Sequence, residues 1–228
     1  MNLLSSTTVF SFYTMLSRVL GYFRDILIAI FLGTSIYADA FFVAFRLPNT
    51  FRRLFAEGTF NAAFIPSYTS EKIKSKARGK RFADEVLTLL TLGLLTIVLI
   101  VEIFAPYAVY LIAPGFIEDN VKFNLAVDLT RITFPFLAFV SLSSFFAGIL
   151  NSENKFAAAA AAPIFLNLIL ILSLVISYYF KQDYALNLSY GVSLAGLIQL
   201  IFLIFFASKY YHPSLVFKKK VRQKVKFF

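Results

Sequence analysis

The 228-residue chain is 59% hydrophobic, with a mean hydropathy of +0.77 and only 15% charged residues, which excludes an ordinary soluble domain and leaves an integral membrane protein. It has no cysteine and a single histidine, His212, so thiolate chemistry, disulfides and a metal cluster are excluded, and no cofactor is implied. A net charge of +10 would suit nucleic acid, but the basic residues gather beside the ends of apolar segments, where topology and lipid headgroups account for them.

Six apolar segments, each near the ~20 residues that a spanning helix needs, lie at 9–32, 38–65, 86–112, 125–149, 157–180 and 188–207. The fold expected is therefore all-α, a bundle of six transmembrane helices. Residues 1–6 lack the basic stretch and small-residue cleavage site of a secretory signal, so the first helix is expected to act as its own insertion signal. In that helix Thr7, Ser11, Thr14, Arg18, Gly21 and Asp25 recur at steps of three or four and share one face, with Arg24 on its flank. Serines and threonines there serve a buried interhelical seam. Two arginines and an acid ask for more, because a charge at the bilayer centre costs roughly 2.5–3.5 kcal/mol and is kept for a bundle interior or a wet cavity.

A short turn at 33–35 leads to the second segment, where Asp39, Arg46, Thr50, Arg53, Glu57 and Asn61 fall on one face of an unbroken helix. Pro48 is expected to break that helix and shift its register, so either Arg52 or Arg53 points inward, and spacing alone does not choose between them. A proline-interrupted span with polar residues near mid-membrane also points to a transporter's substrate site. Five arginines against three acids within these two segments leave a positive excess that calls for an anion.

The later segments are plainer. Asp128 and Arg131 are spaced to pair with each other, Ala157 to Ala162 form a smooth run suited to close helix packing, and Asn167 and Gln199 read as interhelical hydrogen-bonding residues. The loop after the second segment holds Lys72, Lys74, Lys76, Arg78, Lys80 and Arg81. The stretch after the sixth holds Lys209, Lys218, Lys219, Lys220, Arg222, Lys224 and Lys226. With Lys155, fourteen of the 22 basic residues fall on one side, against Lys122 and Lys181 on the other, so both termini are expected in the cytoplasm. Residues 1–212 form the expected helical unit. Residues 213–228 form a basic amphipathic tail, suited to an anionic lipid surface or to linking onward.

Residues 17–25 read SRVLGYFRD and residues 38–68 read ADAFFVAFRLPNTFRRLFAEGTFNAAFIPSY. These stretches resemble the MurJ/MviN family of lipid II flippases in the MOP transporter superfamily, and APGF at 113–116 is similar to the family as well. The resemblance implies one lobe, the N-terminal half, of a two-lobed transporter of the bacterial inner membrane. It implies a diphosphate-linked peptidoglycan precursor as substrate, membrane lipids and a second six-helix lobe as partners, and neither nucleic acid nor enzymatic chemistry. It carries the substrate-contacting or cavity-governing roles onto Arg18, Arg24, Asp25, Asp39, Arg52 and Glu57, and it prefers Arg52 to Arg53. Arginine suits this task because its fork gives bidentate, permanently charged contacts to phosphate. The rival readings are a non-transporting membrane partner subunit, a MOP exporter of another lipid-linked oligosaccharide, and a membrane enzyme using Asp25 or Glu57 as its base.

The charge asymmetry generates a test. Single cysteines at Gly33, Glu118 and Asp183 are expected to react with an impermeant thiol reagent from the periplasmic side only, and labelling confined to the cytoplasmic side would reverse the topology.

Overall fold

The structure is a computed structural model that describes residues 3–56 and 59–214. Glu57, Gly58, most of the basic tail (215–228) and the side chains of residues 53–56 lie outside the described residues. Every regular element is helical: α1 (Leu3–Leu32), α2 (Ile36–Ala56), α3 (Thr59–Lys74), α4 (Lys76–Ile103), α5 (Ala105–Ile112), a 3-10 turn (Pro114–Glu118), α6 (Asn120–Thr133), α7 (Phe136–Ser152), α8 (Phe156–Phe180) and α9 (Tyr184–Ala207). Among the described residues, four stretches are long and apolar enough to cross a membrane: Lys76–Ile103, Asn120–Ser152, Phe156–Phe180 and Tyr184–Ala207.

The turn between α1 and α2 forms as the sequence suggests. Gly33 takes φ +56°, a left-handed conformation that closes α1. The Ser35 hydroxyl donates to the Leu32 carbonyl at 2.7 Å and accepts from the Ala38 amide at 3.3 Å, so it ends one helix and starts the next.

Pro48 does not break α2. It sits inside a helix that continues to Ala56, contrary to the break expected from sequence. A proline has no N–H for the carbonyl four residues earlier, here Ala44. That carbonyl accepts instead from the Thr133 hydroxyl of α6 at 3.0 Å, and Ala44 and Thr133 are both fully buried. A partner from another helix thus completes what the proline removes.

Three more expectations are corrected. The basic stretch read as a loop after the second segment is helical on both sides of Ser75, whose hydroxyl caps α4 by accepting from the Arg78 amide at 3.1 Å. The corner is tight, because a Cβ on Gly79 would lie 2.9 Å from the Lys72 Cα. The third segment divides at Phe104, where Pro106 enters the first turn of α5. The fourth divides at Phe134 and Pro135, where the Ser193 hydroxyl of α9 donates to the Ile132 carbonyl.

Two larger packed regions, and a smaller one around Leu94, Phe134 and Leu137, hold the described helices together. One joins Ile28 and Leu32 of α1 and Phe41 of α2 with Leu129 of α6, Leu174 of α8 and Leu188 of α9. The other centres on Phe64 of α3, stacked with Tyr68 at 5.5 Å and tilted against Phe145 of α7 at 5.0 Å. Helix α8 lies between α1 and α9, and α1 is held chiefly by α8. The outward faces of α4, α8 and α9 expose Leu95, Leu99, Ile100, Leu172, Ile201 and Phe205, the apolar surface that lipid requires and water would not tolerate.

Past α9 the chain is tied back onto α4. The buried Asp84 carboxylate accepts from the Tyr211 hydroxyl at 2.7 Å and the Ser214 amide at 3.0 Å, and pairs with Lys80 at 2.9 Å. Burial, followed by the bond to Asp84, pushes the Tyr211 hydroxyl well above its ordinary pKa.

The α2–α6 contact gives a stability prediction. Thr133→Val strands a buried carbonyl and is expected to cost about 1–2 kcal/mol of unfolding free energy in detergent. Thr133→Ser, which keeps the hydroxyl, should stay close to the unsubstituted protein. Equal stability of all three would show that the Ala44 carbonyl needs no partner.

Candidate substrate cavity

A cavity of about 470 Å³ lies where α1, α2, α3, α7, α8 and α9 meet. Arg18 faces it from α1, Arg52 from α2, Asn61 from α3, Ser143 from α7 and Gln199 from α9. Helix α8 contributes only small or apolar groups, among them Ala159, Ala160 and Pro163, so the alanine run read as a packing surface also clears space here. The two arginines come from the consecutive helices α1 and α2, and both line a single void. The Arg52 Nε donates to Asn49 Oδ1 at 3.0 Å, one turn earlier, which orients its guanidinium. The side chain of Arg53, the alternative that spacing left open, lies outside the described residues.

Arg24 has a different place. It does not line the cavity; its Nη1 donates to Asn167 Oδ1 of α8 at 2.8 Å, while Nε and Nη2 reach Asp25 Oδ1 at 3.0 and 2.7 Å. Asn167, buried at the α1–α8 contact, donates in turn to the Ser17 carbonyl at 2.8 Å. Gly21 packs beside it, a Cβ there standing 3.6 Å from the Asn167 amide, an ordinary contact. The guanidinium is therefore held between its own helix and α8, one residue from Leu166, which does line the void.

The acids stand apart from the arginines that face the cavity. Asp25 is bound to Arg24, and Asp39 pairs with Lys122 of α6, whose ammonium also lies 4.3 Å from the centre of the Phe116 ring. Glu57 lies outside the described residues. Of the six residues singled out from sequence, Arg18 and Arg52 come together on the cavity. Arg24 and Asp25 form a separate node beside it, and Asp39 sits at the α2–α6 contact. Asp128 and Arg131 approach to 3.8 Å, the pairing that their spacing suggests, although the arginine Nε also reaches the Glu102 carbonyl at 3.4 Å.

Of the neutral lining, Asn61 lies on the polar face read for the second segment and Gln199 was read as interhelical, while Ser143 was passed over, because nothing in a serine's spacing separates a cavity wall from an interhelical bond. The same holds for Asn167, which was read as interhelical and does bridge two helices, and which also holds Arg24.

The chain is similar to a set of known proteins. The family described as "Lipid II flippase MurJ" matches residues 28–228. The chain is 47% identical over 192 residues to "Probable lipid II flippase MurJ" of Rhizobium meliloti (strain 1021), covering 82% of this chain and 36% of that protein. To the protein of the same description from Rickettsia prowazekii (strain Madrid E) it is 39% identical over 210 residues, covering 92% of this chain and 41% of the relative. Among solved structures, "Lipid II flippase MurJ, inward closed conformation" superposes with a TM-score of 0.79 at 29% identity, over 91% of this chain and 44% of that one. A MOP superfamily transporter from Pyrococcus furiosus shares the fold at a TM-score of 0.63 and 16% identity, over 97% and 49% of the two chains. The chain belongs to the lipid II flippase MurJ family, a family of multi-pass membrane transporters, and spans less than half the length of these relatives.

The node at Arg24 can be tested by a double-mutant cycle. Asn167→Leu and Arg24→Gln are each expected to lower stability in detergent by about 1–3 kcal/mol, and the double variant by clearly less than their sum, because both remove one contact. Additive losses would show that α1 and α8 are not coupled through this pair.

Proposed function

We propose that this chain forms one lobe of a lipid II flippase in the bacterial inner membrane, and that its arginine-lined cavity takes the diphosphate of the lipid-linked peptidoglycan precursor on its way from the cytoplasmic to the periplasmic leaflet. In this reading the lobe has six spans: α1, α2 with α3, α4 with α5, α6 with α7, α8 and α9. Both termini are cytoplasmic, and a second six-helix lobe completes the transport path. Family membership and the match to the MurJ structure support the reading.

The observation that carries it is the meeting of Arg18 and Arg52, from two helices, on one cavity whose other lining is neutral. Such placement is costly unless an anion or water is to be met there. In this proposal Arg18 and Arg52 contact the phosphates. Arg24, with Asp25, fixes the cavity-lining part of α1 against α8, and Asp39 and Glu57 govern the opening and the release of substrate. No nucleophile or general base is needed, since the substrate leaves chemically unchanged.

The test exchanges charge-preserving residues. With this lobe grafted into a full-length relative, Arg18→Lys and Arg52→Lys are each expected to cut flipping roughly tenfold or more, because lysine keeps the charge but loses the planar fork. Arg53→Lys should be tolerated. The readout is lipid-linked precursor accumulating on the cytoplasmic leaflet at equal protein level. Full activity of both lysine variants would remove bidentate recognition, and loss of activity only through loss of protein would favour the non-transporting subunit.

A further inference from the structure

Asp84 is 4% exposed, and a carboxylate so far from water is kept only where donors surround it. Its Oδ1 accepts from the Tyr211 hydroxyl at 2.7 Å and from the Ser214 amide at 3.0 Å. Its Oδ2 accepts from Lys80 Nζ at 2.9 Å, and the same ammonium donates to Ser214 Oγ at 2.9 Å. One carboxylate near the start of α4 thus grips two residues beyond α9, with Tyr211 lying 127 residues further on. None of these side chains lines the cavity, and the transport reading gives them no role.

The two grips differ in kind. Tyr211 is 3% exposed, and its ring packs edge-on against Phe145 of α7 at 5.7 Å. Phe145 packs in turn against Phe64 of α3. The Tyr211 amide donates to the Ala207 carbonyl at 2.9 Å, which ties it to the last residue of α9. The Ser214 grip lies outside this core. Ser214 is exposed and the Lys80 side chain is 46% exposed, so salt screens that pair and it adds little stability. Between the two stand His212 and Pro213, both exposed and without a hydrogen bond among the described residues. A few unheld residues at the end of an element are what a hinge requires. We propose that Asp84 is the latch for the chain leaving the bundle: Tyr211 is its fixed point, His212 and Pro213 are the hinge, and Ser214 with Lys80 is a releasable catch. Closed, the catch directs the chain along the start of α4. Open, the chain turns about Tyr211 while the bundle stays packed.

The experiment is hydrogen–deuterium exchange of the full chain in detergent, with fragmentation that resolves the Tyr211 and Ser214 amides. It is run at about 50 mM and about 500 mM salt, which span weak and strong screening. In the unsubstituted chain both amides are expected to be protected at low salt. High salt should speed Ser214 exchange roughly fivefold, the worth of a half-exposed ion pair, and leave Tyr211 unchanged. Lys80→Gln should speed Ser214 by a similar factor already at low salt, abolish its salt response, and leave the melting temperature and the Tyr211 amide as before. Tyr211→Phe keeps the packed ring but removes the hydroxyl, and should speed both amides, because the catch loses its fixed point. A Ser214 amide already unprotected at low salt overturns the catch. Equal responses of the two amides to salt or to Lys80→Gln, with a lowered melting temperature, make Asp84 an ordinary structural tie and overturn the latch. Ser214 exchange that Tyr211→Phe leaves unchanged overturns Tyr211 as the fixed point.

Discussion

A bilayer supplies no water to a stranded backbone carbonyl, and the architecture of this lobe follows from how its prolines are answered. Pro48 frees the Ala44 carbonyl, and Thr133 takes it across the α2–α6 contact. Where α6 ends before Pro135, Ser193 of α9 caps a neighbouring carbonyl, that of Ile132. These two bonds tie α2 to α6 and α6 to α9. The helices can bend around a cavity without leaving polar backbone in the apolar interior. Pro163 is placed differently: it and Ala159, whose carbonyl loses its helical donor, both line the void. The same residue type thus builds scaffold in one place and a polar surface in another.

Helix α1 depends on a different tie. Its first half exposes Phe10, Phe12, Met15 and Val19, and α8 is its main neighbour. Asn167 fixes that contact by holding Ser17 and Arg24 together, which sets the rotation of α1 and so directs Arg18 to the cavity. Arg24 is thereby placed differently from Arg18 although both come from one polar segment. One guanidinium is bound between helices with its acid beside it, and the other faces the void.

Much of this was legible in the sequence, for physical reasons that differ from element to element. The turn at Gly33 and Ser35 follows from local chemistry alone, since glycine supplies the left-handed residue and serine the cap. The apolar segments and their excess of arginine follow from composition against the bilayer. Pro48 was misjudged because its consequence is decided by Thr133, 85 residues away and invisible to a local pattern. The basic stretch around Ser75 was read as a loop because charge density suggested solvent, whereas a serine cap and good helix formers carry the helices almost through the corner. The neutral part of the cavity lining was legible only in part. Asn61 shares a face with the charged residues of its segment, but Ser143 and Gln199 carry no such pattern, and only the fold shows that all three line one space.

The lining of the cavity bears on how a carrier lets go. Charge attraction in a poorly solvated space is strong, several kcal/mol for a close pair at an effective dielectric near 20, and each further cation deepens the trap. Neither Asp25 nor Asp39 lines the void to offset Arg18 and Arg52, because each is already committed to a cation elsewhere. A third or fourth arginine around the void would raise affinity for an anion at the expense of release, whereas neutral hydrogen-bonding groups add only about 0.5–1.5 kcal/mol apiece and water replaces them readily. In the proposed reading, a lining of two guanidinium groups among neutral polar and apolar side chains is therefore one that a diphosphate could both enter and leave.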